Sequence, residues 1–157
     1  MVKQLLSLAF VVFLASCGTG FGSGAGGAGG AENAHIVPGT QSDLEANVGD
    51  RIFFDFDRSN VREDAKETLA RQAAWLQQYP NVHATVEGHA DERGTREYNL
   101  ALGERRAEAA KKYLISLGVD AKRLSTISYG KERLAVVGNT EEAHAQNRRA
   151  VSVVVSH

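Results

Sequence analysis

Cysteine is almost missing: the 157 residues contain one, Cys17. An intramolecular disulfide is therefore impossible, and so is a zinc centre built from several thiolates. Neither charge sign dominates, with 18 basic and 19 acidic residues and a net charge of -1. That balance excludes the strong positive field a nucleic-acid protein needs, so no nucleic acid is expected as a partner. No apolar run can span a bilayer. Leu5 to Ala15 is almost unbroken, but eleven residues reach only about 16 Å as helix against a hydrocarbon core of about 30 Å. The five histidines, His35, His83, His89, His144 and His157, contain no H-x-x-x-H pair and no HExxH, so neither a metal site nor a cofactor is expected. What is present is 43% apolar residues, too many for a wholly disordered chain.

The first third is not globular in composition. Lys3 followed by the Leu5–Ala15 run has the form of a secretory signal, assigned to residues 1–16. Leu14-Ala15-Ser16-Cys17 resembles the bacterial lipobox, in which cleavage falls before the cysteine and the cysteine carries lipid. Several acyl chains bury enough CH₂ groups for stable anchoring, where one would be marginal. Residues 17–47 are then a lipidated N-terminus and tether. Eight glycines between positions 18 and 30 leave little to bury and a large backbone entropy to lose. A nucleotide loop is a poor fit there, since no strand precedes it and no lysine lies in it. Residues 31–47 are mostly polar and read as an irregular lead-in.

Residues 48–157 are periodic and long enough for one modest core. Arg51–Asp57 is rich in Phe and Ile and reads as a strand. Asn60 and Glu63 have capping-box spacing, opening a helix over 61–79 that carries Ala65, Leu69, Ala73, Leu76 and Trp75 or Tyr79 inward. Both aromatics read as core. Pro80 ends that helix. Val82–Gly88 alternates, with Val82, Ala84 and Val86 on one face and His83, Thr85 and Glu87 on the other. A polar loop, 89–96, precedes a helix over 98–117. Its expected inner stripe is Leu100, Gly103, Ala107, Ala110, Leu114 and Leu117, with Gly118 as the residue that ends it. A strand over 124–129, a short helix over 141–147 and a β-branched strand over 150–155 complete the order β-α-β-α-β-α-β. The simplest burial is an α/β two-layer sandwich, one mixed sheet with helices packed on it. The direction of the last strand stays open.

The densest polar segment is Glu87 to Asn99, EGHADERGTREYN, between a strand end and a helix start. Open α/β sheets place ligands there. Asp91 lies in that loop and Arg106 fifteen residues on, so a folded-back loop brings an anion and a cation together. Such a pair suits a zwitterion: Asp91 accepts from an ammonium, and the planar fork of Arg106 holds a carboxylate. His89 is expected to hydrogen-bond in the site wall. Two other readings stay open at this level. The loop could be solvated, with Asp91 capping it and Arg106 paired to Glu104 or another carboxylate. Asp91, Glu92 and Asp57 could also serve as a hydrolase acid/base set acting on glycan.

GHADERGTREYN, LALGERRA (100–107 within it), Tyr113-Leu114, Gly118-Val119, SYGKE (128–132) and NRRA (147–150) together resemble the OmpA-like C-terminal domain family, and within it the peptidoglycan-associated lipoproteins. The resemblance covers about residues 50–155. It implies an OmpA-like fold, no enzymatic activity, and non-covalent binding of the peptidoglycan stem peptide through diaminopimelate. It implies Asp91 and Arg106 as the two anchors, with Phe56, Asp57, Thr95, Asn99 and Leu102 shaping the site. Arg148 is a weaker candidate that braces it. It further implies an outer-membrane protein facing the periplasm, anchored through Cys17. A TolB-like partner, a Tol–Pal envelope system and a role in cell division follow from the same resemblance. One departure is Arg133-Leu134, where the family has a basic residue and proline; the loop is expected to be more mobile for it.

Overall fold

A computed structural model describes residues 36–156 of the chain. The signal and lipidation segments, including Cys17, His35 and the glycine-rich stretch, lie outside the described residues, as does His157.

Leu44 opens the core, at 1% exposure. It sits where a short helix α1 (Gln41–Asp43) runs into a wider turn (Leu44–Val48). The expected irregular lead-in is thus partly ordered. The reason is polar as well as apolar. Trp75 donates its indole N–H to Asp43 Oδ2 at 2.8 Å, and Gly39 N–H donates to the same oxygen at 2.8 Å. Burying an indole needs an acceptor, and Asp43 supplies it from outside the expected domain boundary.

β1 is shorter than expected, Arg51–Phe53. Phe54 is fully buried and its N–H still bonds Arg148 O at 2.9 Å. Beyond it Arg58 N–H closes a turn on Asp55 O, and Asp57 adopts φ +53°, which no strand tolerates. The Phe56-Asp57 step is therefore loop. α2 (Glu63–Gln78) starts at an N-cap of Arg62, not Asn60, and no side chain caps it. The capping box does not form. Asp64 instead pairs with Arg62 beside the helix's positive end, at 3.0 Å. The rings of Trp75 and Tyr79 meet at a tilt of 58° with centroids 5.2 Å apart, Trp75 in the core and Tyr79 packed against it.

β2 (His83–His89) feeds the polar loop, and α3 (Arg96–Ser116) follows. α3 ends with Gly118 at φ +101°, while Val119 N–H reaches Leu114 O at 3.2 Å and Val119 is buried. That is the glycine-terminated helix end the sequence indicated. β3 (Leu124–Gly130), α4 (Glu141–Asn147) and β4 (Arg149–Ser156) complete the chain.

The sheet order is β1-β4-β2-β3. β4 runs antiparallel to both β1 and β2, and β2 runs parallel to β3. The last strand thus inserts into the middle, which its Val-rich composition suits. Ala84 and Val86 of β2 join Leu69, Ala73 and Leu76 of α2 and Ala107, Ala110 and Leu114 of α3 in one core. The opposite sheet face is half-covered: Thr85 and Ser125 hydrogen-bond each other there at 2.8 Å. Arg123 fastens the α2–β2 corner, donating to the carbonyls of Leu76, Tyr79 and Val82 at 2.8 to 2.9 Å.

The inner stripe of α3 differs from expectation at one end. Leu100 is 48% exposed, and Asn99, Leu102 and Arg106 are buried instead. Leu117 is only partly buried. The loop at Arg133-Leu134, expected to be more mobile, carries several side-chain bonds to its backbone. Asn147 clamps it, accepting from the N–H groups of Ala135 and Val136 and donating to Val136 O, and Arg149 donates to Arg133 O. These bonds restrain the turn that the missing proline leaves free.

Candidate ligand cleft

Three segments meet at the ends of β1 and β2: the loop after β1, the loop after β2 and the first turns of α3. Between them lies a cleft of about 230 Å³ lined by Phe56, Asp57, Asp91, Arg93, Gly94, Tyr98, Asn99, Leu102 and Arg106. Thr95 starts α3, its hydroxyl accepting Tyr98 N–H at 3.2 Å. Asn99, one turn on, donates to Arg93 O at 2.7 Å and so fixes the loop to the helix.

Asp91 is 5% exposed and heavily partnered. Its Oδ1 accepts from the backbone N–H and Nε of Arg93 at 3.1 and 3.2 Å. Its Oδ2 accepts from Arg93 Nη2 at 2.6 Å and lies 3.5 Å from Arg148 Nη1. Burial pushes its pKa up, but the hydrogen bonds and charge of Arg93 outweigh that and hold the carboxyl below its usual range. Arg148 also reaches Glu141 at 2.7 Å, and Arg93 reaches the other Glu141 oxygen at 3.4 Å. The four side chains form a closed ring of alternating charge.

Arg106 is fully buried. Its Nε donates to Arg58 O at 2.9 Å, Nη1 to His89 O at 2.9 Å and Nη2 to Asp55 O at 3.2 Å. Three of the five N–H donors a guanidinium carries are thus committed to carbonyls. Its Cζ lies 5.3 Å from the Phe54 ring centroid. Burial lowers its pKa to about 10, still charged at neutral pH. Glu104, the alternative partner, bonds Thr126 instead.

Of the expected site residues, Phe56, Asp57, Asp91, Asn99, Leu102 and Arg106 line the cleft; Thr95 and Arg148 do not. Thr95 acts through the helix start. Arg148 is buried behind Asp91, its Nε held by Phe54 O at 3.0 Å. His89 departs from expectation: its ring is buried against Tyr129 at 5.6 Å, outside the lining, and neither ring nitrogen finds a hydrogen-bond partner among the described residues. It contributes its carbonyl, to Arg106. Sequence reasoning missed Arg93, Gly94, Tyr98 and Glu141. The phenol of Tyr98 hydrogen-bonds Asp57, and Arg93 stacks 4.2 Å over the exposed Phe56 ring. Arg93 and Tyr98 stood in the dense polar segment, and two exposed aromatic or cationic groups in such a loop were the available signal.

The description of the matching family model is "OmpA family", and it covers residues 53–148. The peptidoglycan-associated lipoprotein of Agrobacterium fabrum is 59% identical over 83% of this chain and 71% of its own length. That of Rhizobium meliloti is 50% identical over 96% and 86%, and that of Haemophilus influenzae 42% identical over 96% and 95%. Among solved structures, the peptidoglycan-associated lipoprotein from Burkholderia pseudomallei superposes with a TM-score of 0.66 at 42% identity, covering 68% of this chain and 90% of that one. The C-terminal domain of Helicobacter pylori MotB shares the fold, with a TM-score of 0.60 at 25% identity over 68% and 85%. The chain therefore belongs to the OmpA family and, within it, to the peptidoglycan-associated lipoproteins.

Proposed function

We propose that the cleft binds the peptidoglycan stem peptide without covalent chemistry, and that the protein thereby links an outer membrane to the cell wall. The observation that carries this is the placement of Asp91 and Arg106 in the lining of one cleft. A diaminopimelate side chain ends in an ammonium and a carboxylate on one carbon. Asp91 would take the first, and the two uncommitted N–H groups of Arg106 the second. Exposed Phe56 and Tyr98 at the rim offer apolar surface for the rest of the peptide. The relatives are named peptidoglycan-associated lipoproteins, which supports peptidoglycan as the polymer bound.

Catalysis on glycan is less well supported. A general acid needs a carboxyl that holds a proton near neutral pH. Asp91 faces two guanidiniums and its pKa is lowered. Glu92 does not line the cleft.

Lipid on Cys17 would hold the other end in the outer membrane, with the domain facing the periplasm. Many weak wall contacts acting in parallel would hold the two layers together. On the family resemblance, a TolB-like periplasmic protein would engage the same domain in a Tol–Pal system that serves envelope integrity and cell division. The test of wall binding is co-sedimentation with purified peptidoglycan. The unaltered protein should sediment and Asp91→Ala should not. A diaminopimelate peptide should outcompete its lysine analogue, which lacks the extra carboxylate; equal competition would remove Arg106 from its assigned role.

A further inference from the structure

Asp91 is not vacant for an incoming ammonium. Arg93 already holds it by two side-chain bonds, at 2.6 and 3.2 Å. The two guanidiniums on Asp91 are held differently. Arg148 is buried and tied to the backbone at Phe54 O. The Arg93 side chain is 37% exposed, and beyond Asp91 the partners of its charge among the described residues are Glu141 and the open Phe56 ring. Its backbone is fixed independently, by Asn99 at its carbonyl and Asp91 at its N–H. The side chain can therefore leave while the loop stays.

We propose that Arg93 is a built-in competitor for the cationic group of the ligand, and that Glu141 is the acid that receives it when the ligand takes Asp91. Binding is then an exchange of one cation for another. The exchange keeps every charge partnered: Arg93 is already 3.4 Å from Glu141, on the oxygen that Arg148 does not take. A solvent-exposed carboxylate can accept it with little desolvation. Arg93 thereby sets affinity and selectivity. A neutral group brings no charge to replace the guanidinium on a buried acid, whereas a primary ammonium does. The inference rests on the wall-binding reading above and names a positioning residue that reading does not need.

The test is isothermal titration of the full domain with free meso-diaminopimelate and with the stem tripeptide that carries it. Arg93→Ala, confirmed folded by its thermal melt, should bind about tenfold tighter, because an apparent dissociation constant scales inversely with the fraction of open site. Glu141→Gln should weaken binding more in the unaltered background than in the Arg93→Ala background, where only its contact with Arg148 is lost, a coupling that a double-mutant cycle reads directly. Arg93→Lys should bind like the unaltered protein or tighter, since an ammonium lacks the fork. Weaker binding by Arg93→Ala would mean Arg93 is itself a ligand contact, and would overturn the proposal. So would equal effects of Glu141→Gln in both backgrounds. If the unaltered protein binds neither probe, it is the wall-binding reading that fails, which separates the two outcomes.

Discussion

Gly88 of β2 and Gly103 of α3 touch backbone to backbone: a Cβ built on Gly88 would overlap the carbonyl of Gly103. Reciprocally, a Cβ on Gly103 would overlap the Ser128 hydroxyl and approach Gly88 O to 2.9 Å. The helix can seat this deeply only because both residues lack side chains. That depth brings Asn99, Leu102 and Arg106 down to the level of the β2 loop. Gly88→Ala should cost about 3 kcal/mol, the upper range for forced overpacking against a backbone that cannot yield. Urea denaturation measures it. A cost below about 1 kcal/mol would show that α3 rides over the change.

Arg106→Ala should be a stability mutant before it is a binding mutant. It leaves the carbonyls of Asp55, Arg58 and His89 without that donor, the last of them in a buried place. A loss of about 1–3 kcal/mol is expected for the buried acceptor left unsatisfied. The urea midpoint should fall accordingly. Asp91→Ala is the cleaner probe of binding, and Arg106→Lys, which keeps the charge, the better partner for it.

Stability should decline in mild acid because of His89. Burial, and then the charges of Arg149 and Arg133, lower its pKa from the usual 6.5 to about 4. Below 6.5 the unfolded chain takes up a proton that the folded chain refuses, so the contribution is complete above that pH. It is lost as pH falls from 6.5 towards 4, by up to about 3 kcal/mol. His89→Phe should flatten this part of the profile in urea melts taken at successive pH values. An unchanged slope would assign it to other groups.

Thr95→Ala should lower stability by about 1 kcal/mol through loss of the α3 cap, and Thr95→Ser should restore it. If Thr95 acts only through the helix start, wall binding should follow the cap, recovering with serine. Loss of binding in both variants would place the threonine methyl in the ligand's path.

Cys17→Ser should release the protein from membranes into the soluble fraction on cell fractionation. Retention in the membrane would require an anchor other than lipid on that residue.

The order of elements, the Gly118 helix end and the core of α2 were legible because apolar periodicity and glycine chemistry act locally. α4 was legible too, its expected span matching the observed one. The upper part of α3 was not. A search for apolar period chooses Leu100, but Asn99 and Arg106 occupy the inner face there because the cleft, not the core, lies beneath them. The capping box failed because a spacing of three residues does not fix where the chain turns; the left-handed Asp57 and the Arg62–Asp64 pair decide that. The charge ring was invisible for a different reason. Glu141 and Arg148 are near each other in sequence, but their tie to Asp91 exists only after β4 has inserted beside β2.

Arg123 ties three carbonyls at the α2–β2 corner in the way Arg106 ties three at the cleft. Small extracytoplasmic domains often rely on cross-linked cysteines for such corners. Here a guanidinium does the fastening, and it responds neither to oxidants nor to thiol reagents. The described domain should melt at one temperature with or without dithiothreitol.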